Sequence, residues 1–163
     1  MRYLCSREVK MKKTLLICSF IVLAISLFAQ KGMFDISFDQ DVKEVHKALL
    51  AKGFTEGEKT SSFTQYSNPK IPMLQLLTVR DSEEDGTVSG WTIKYIVNGD
   101  QALIDKYMAD LTALHKVEPY YDDYYEEDVW ELENYNAIYA YTLEDGKIMV
   151  IEYTYFDDWE YWY

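Results

Sequence analysis

Apolar and polar residues alternate over Phe34-Asp35-Ile36-Ser37-Phe38, the period of two that a half-buried strand shows. The period then lengthens. Val42, Val45, Leu49 and Leu50 fall on one stripe of a helix. Asp39 and Asp41 are both candidate caps, Glu44 follows Asp41 at capping-box spacing, and Gly53 is placed to end the helix. From Phe54 to Val97 the pattern predicts short strands at Phe63–Tyr66, Met73–Arg80 and Val88–Val97, broken by Asn68-Pro69 and by Asp81–Gly86.

A second helix is predicted after Asn98-Gly99-Asp100, because Leu103, Ile104, Tyr107, Met108, Leu111 and Leu114 recur at helical spacing before Pro119. Tyr135–Leu143 and Lys147–Tyr155 then read as strands joined by Asp145-Gly146, the clearest hairpin signal in the chain. Tyr135, Ala137, Tyr139, Tyr141 and Leu143 share one face; Met149, Ile151, Tyr153 and Tyr155 share a face of the next strand. The expected fold is α+β: an antiparallel sheet with two amphipathic helices on one face, in the order β-α-β(3–4)-α-β(2–4).

The first 29 residues stand apart from this pattern. Arg2, Arg7, Lys10, Lys12 and Lys13 precede an uncharged apolar run from Leu15 to Ala29, which gives way to Gln30-Lys31-Gly32. That is the order of a signal peptide, with cleavage expected after Ala29. The run is shorter than the roughly 20 apolar residues a membrane-crossing helix needs. Met11 offers a second start, and Cys18 would be a lipidation site except that Ile17 stands where a small residue is required. Residues 30–163 are expected to form one acidic domain in the periplasm, on the cell surface or outside the cell, with no stable membrane span after processing.

Both cysteines, Cys5 and Cys18, lie in the leader. The domain after it therefore has no disulfide and no thiolate, and its stability must come from its core. The leader also takes five of the 16 basic residues and one of the 28 acidic ones, leaving residues 30–163 with a formal charge of −16. Such a field repels phosphate backbones and anionic membranes and favours cations and basic proteins. Nucleic acid is not an expected partner.

Asp39-Gln40 and Asp100-Gln101 each open a predicted helix ahead of a run of strands, a hint of two related halves. In this layout the chain resembles the tandem helix-plus-sheet repeats of exported β-lactamase-inhibitor-like and PepSY-like domains. That resemblance implies helices over one face of an antiparallel sheet and carries over no functional residue. The leader ending Ser26-Leu27-Phe28-Ala29-Gln30 resembles those of exported proteins of Bacteroidota, which implies export and nothing about activity.

Candidate chemistry is concentrated in two acidic and aromatic runs, residues 120–128 and 155–163, and eleven of the 15 tyrosines lie after residue 117. Tyrosine and tryptophan give large, rigid contact areas and dominate recognition hot spots. Tyr120, Tyr121, Tyr124, Tyr125, Trp130, Tyr155, Trp159 and Trp162 are the candidate binding residues. The competing reading makes these aromatics sheet core and rim, and the acids solvated loops. Asp81, Glu83, Asp85 and Gly86 match the first half of a calcium loop, but Thr92 stands where the bidentate glutamate is needed. An acidic hairpin loop is the plainer reading of them.

The catalytic inventory is thin. His46 and His115 are the two histidines, each on a predicted helix, one bordering the core and one near a helix C-terminus. Neither a His-Glu-x-x-His nor a Gly-x-Ser-x-Gly motif is present. Carboxylates are too abundant for any glycosidase-type pair to be singled out. No cofactor and no enzymatic activity are expected. The sequence favours a noncatalytic exported module that binds a basic protein partner through its tyrosine-rich C-terminal region, with a carbohydrate- or calcium-binding domain as the alternative.

Overall fold

The computed structural model describes residues 31–82 and 84–155. The predicted leader lies outside them. Helix α1 (Val42–Ala51) begins where Asp41 accepts the Lys43 N–H at 2.7 Å. It closes at Gly53, whose φ of +87° lets the Phe54 N–H turn back to the Leu49 carbonyl at 3.0 Å. Helix α2 (Gln101–His115) starts on Asp100, which accepts the Leu103 N–H at 3.2 Å, and ends at Lys116 in the left-handed region.

Four strands follow each helix. After α1 come β1 (Thr55–Lys59), β2 (Phe63–Ser67), β3 (Leu74–Asp81) and β4 (Val88–Ile96); after α2 come β5 (Tyr120–Asp122), β6 (Glu127–Glu131), β7 (Asn136–Leu143) and β8 (Ile148–Tyr155). They form one antiparallel sheet in the order β1-β2-β3-β4-β8-β7-β6-β5. Each half is thus a helix and a four-strand meander, and the halves join through their last strands, with Trp91 opposite Tyr153 and Ile93 opposite Ile151. The fold is α+β, as the sequence predicts.

The predicted first strand is not one. Residues Met33–Asp35 form a 3₁₀ turn, with Phe34 and Asp35 at positive φ. The alternation there has another cause: Phe34 packs edge-on to Phe54, Ile36 is buried, and Phe38 lies against Trp91 and Tyr155. Three apolar anchors two residues apart pin an irregular segment as effectively as they would face a strand. In the opposite direction, β1 escapes a hydrophobic pattern altogether, because every residue of Thr55–Lys59 is exposed. Its Glu56, Glu58 and Lys59 suit a sheet edge that must not recruit another strand.

Register explains the core. The row Trp130, Ile138, Tyr153, Trp91, Val79 and Thr64 crosses six strands on one face, and every member is buried. The next row on that face runs from Glu56 at one edge through Tyr66, Leu77, Ile93, Ile151, Ala140 and Asp128 to Tyr121 at the other. Side chains of both helices meet this face: the His46 ring nitrogen sits 3.1 Å from the Tyr66 hydroxyl, and Tyr107 stacks on Tyr95 at 4.3 Å. Trp130 donates its indole N–H to Thr112 at 3.1 Å.

His115 is more than a complement to the helix dipole. Its Nε2 lies 3.0 Å from the Tyr153 hydroxyl, which also accepts the Met33 N–H at 3.2 Å. Burial pushes the imidazole down to about 4, so it is neutral at pH 7 and can accept the Tyr153 proton.

Candidate functional site: a tyrosine and carboxylate hairpin

The first acidic-aromatic run folds into the β5–β6 hairpin at the sheet edge. Its turn is built by Asp122, whose Oδ1 accepts the N–H groups of Tyr124 and Tyr125 at 2.9 and 3.2 Å, while the Glu126 N–H reaches the Asp122 carbonyl at 2.9 Å. That is an aspartate turn closing on a left-handed Glu126. The turn lifts Tyr124 and Tyr125 out of the sheet, with Tyr124 77 % exposed and the two rings edge to face at 4.7 Å. Behind it, Tyr120 and Tyr121 project to opposite faces and are also exposed, Tyr121 by 56 %.

Four of the eight predicted binding residues are therefore gathered on one hairpin. The others are not. Trp130, expected on the recognition surface, is fully buried and held by Thr112; a side chain with no accessible area offers a partner nothing, and Trp130 belongs to the core. Tyr155 lies against the N-terminal segment, its ring tilted against Phe38 at 5.1 Å and its hydroxyl donating to Asp39 at 2.8 Å. Trp159 and Trp162 lie outside the described residues.

On the face away from the core rows, the hairpin meets a polar cluster that the sequence did not single out. Arg80 of β3 reaches across β4 to pair with Glu152 of β8 at 2.6 Å and to donate to the Tyr153 carbonyl at 3.0 Å. It can do so because the residue opposite it is Gly90. A Cβ there would stand 2.5 Å from a guanidinium nitrogen and 2.6 Å from the Tyr153 oxygen. Tyr141 in turn donates to Glu152, and burial beside Glu152 and Glu127 pushes its hydroxyl up to about 12.

Glu127 is the unusual member. It is only 4 % exposed, and burial, with Asp122 and Glu152 adding like charge, pushes its carboxyl up from 4.5 to about 7. Among the described residues it has no ion pair.

On the core-side face a cavity of about 200 Å³ opens between α2 and the hairpin. It is lined by Ile104 and Met108 of α2, by Ala140, Tyr141 and Thr142 of β7 with Met149 of β8, and by Tyr121, Glu126 and Asp128 on the hairpin side. Asp128 is half-buried, and the loss of solvent raises its carboxyl above the usual range. Two of the three acidic side chains singled out as calcium ligands stand at the β3–β4 hairpin instead. Asp85 is engaged in its turn, accepting the Thr87 N–H and hydroxyl at 3.1 and 2.7 Å, and Asp81 is half-buried at the end of β3. Glu83 lies outside the described residues. Among the described residues no group of three His, Cys, Asp or Glu side chains gathers to hold a metal ion.

Among the described residues no helix is long and apolar enough to cross a membrane. No protein-family model matches the chain, and neither a curated protein nor a solved structure is significantly similar to it.

Proposed function

We propose that the protein is a noncatalytic exported binding module that recognises a basic segment of a partner protein through the β5–β6 hairpin. The observation that carries this reading is the grouping of four exposed tyrosines with Asp122, Asp123, Glu126 and Asp128 on one short edge hairpin beside a cavity. Tyrosine supplies area at little entropic cost, while the carboxylates select cations and speed their approach. The formal charge of the whole chain, −12 at pH 7, acts in the same direction.

The test is retention of partners by the immobilised protein from the cell-envelope and culture extracts of its source, compared with a variant carrying Tyr121→Ala, Tyr124→Ala and Tyr125→Ala. A basic protein held by the wild type, released by salt and lost from the variant supports the reading. Equal retention by both proteins, or retention of nothing at any salt, overturns it.

A further inference from the structure

We infer that the cavity between α2 and the β5–β6 hairpin is a receptor for one cationic side chain with an apolar stem, a lysine of the partner segment. This rests on the reading of the hairpin as the recognition element and identifies the group it takes.

The argument begins with register. Asp128 occupies a position in the row that continues inward through Ala140, Ile151 and Ile93, all buried. On such a row an apolar residue would be the stable choice, since a carboxylate turned toward the core side loses solvation and must recover it from a partner. None is present: among the described residues Asp128 and Glu126 have no ion pair, and Lys106, the lysine of α2, is engaged with Asp110 of the same helix.

The shape of the cavity matches the deficit. Its accessible apolar part is supplied by half-buried Ile104 and Met108, with Ala140 and Met149 buried beneath them, and its anionic part by half-buried Asp128 and exposed Glu126. A neutral apolar ligand would leave Asp128 uncompensated, and a small inorganic cation would leave the apolar walls facing water. A lysine satisfies both. Its methylene stem lies along the isoleucine and methionine side chains while its ammonium meets the carboxylates, and Tyr121 at the rim covers the entering chain. A methionine in the wall, Met108, suits a site that must adapt to a flexible stem.

The experiment uses the purified protein and a fluorescein-labelled peptide of alternating lysine and glycine, read by fluorescence anisotropy. Two counterparts separate stem from charge: norleucine keeps the stem without the ammonium, and diaminobutyric acid keeps an ammonium on a shorter stem. The lysine peptide is expected to bind at least about tenfold more tightly than either, and Asp128→Asn to weaken it by about tenfold, as for loss of a charge-assisted contact. In the unmutated protein the Met108 methyl resonance should shift as the lysine peptide is added.

Equal binding of the lysine and diaminobutyric peptides would overturn the inference, since simple attraction to an acidic surface ignores stem length. Binding that leaves the Met108 methyl unmoved would overturn it too. Those results would leave the hairpin reading standing. Failure of that reading shows differently, as equal partner retention by the wild type and the triple tyrosine variant.

Discussion

Replacing Glu127 by Gln should stabilise the protein, and by an amount that depends on pH. Glu127 sits among Asp122 of β5, Glu152 of β8, Tyr141 of β7 and Tyr120 of β5, with Arg80 held on the far side of Glu152. Its carboxyl ionises near 4.5 in an unfolded chain and at about 7 in the folded one. A raised acid pKa means that folding holds the proton. The stabilising contribution is complete below the unfolded value and is lost as pH rises through the folded value.

The interval from 4.5 to about 7 corresponds to about 3 kcal/mol at most, at about 1.4 kcal/mol per tenfold change in ionisation. Solvent reaching the edge of the cluster and the nearby Arg80 reduce that to about 1–2 kcal/mol. Glutamine keeps the shape and does not titrate. Urea unfolding of both proteins at pH 4 and at pH 8 should therefore show the variant gaining about 1–2 kcal/mol on the wild type between the two conditions, with the change complete soon above pH 7. Adding Asp122→Asn to both should shrink the gain, since one of the two like charges is then gone. A stability difference independent of pH over this range, or one that favours glutamate as pH rises, would refute the account of Glu127.

The close approach at Gly90 predicts that Gly90→Ala crowds both the Arg80 guanidinium and the Tyr153 carbonyl and costs about 1–3 kcal/mol in denaturant unfolding, as overpacking does; a neutral substitution would show that the guanidinium and the β8 backbone both have room to move. Tyr153→Phe removes the hydroxyl that His115 and the Met33 N–H share, leaving buried polar groups without it at a cost of about 1–3 kcal/mol. The same unfolding measurement tests it, and an unchanged midpoint would mean that water takes the place of the hydroxyl.

Much of the framework is written in the sequence. The stripes ending at Leu50 and at Leu114, the caps Asp41 and Asp100, and the Asp145-Gly146 turn act within a few residues of themselves, so local patterning reveals them. The long strands β3 and β4 are legible because buried and less buried positions alternate along most of their length, and β7 and β8, with runs of consecutive buried residues, are legible from their length and the Asp145-Gly146 turn between them. Composition alone likewise points to an acidic, tyrosine-rich region without disulfides.

Tertiary structure decided the rest. Thr55–Lys59 has no buried position, and Tyr120–Asp122 is too short to show a period; both are strands because a neighbour offers hydrogen bonds. Phe34–Phe38 has a strand's pattern and no neighbour, so its three apolar residues became anchors. Trp130 and Tyr121 look alike in the sequence, nine residues apart, yet one is buried under α2 and the other is exposed at the edge. The Arg80–Glu152 pair and the buried Glu127 depend on strands far apart in the chain standing side by side. Burial and charge at those positions are properties of the assembled sheet, because each depends on which strand lies alongside, and hydrophobic periodicity records only that some strand will.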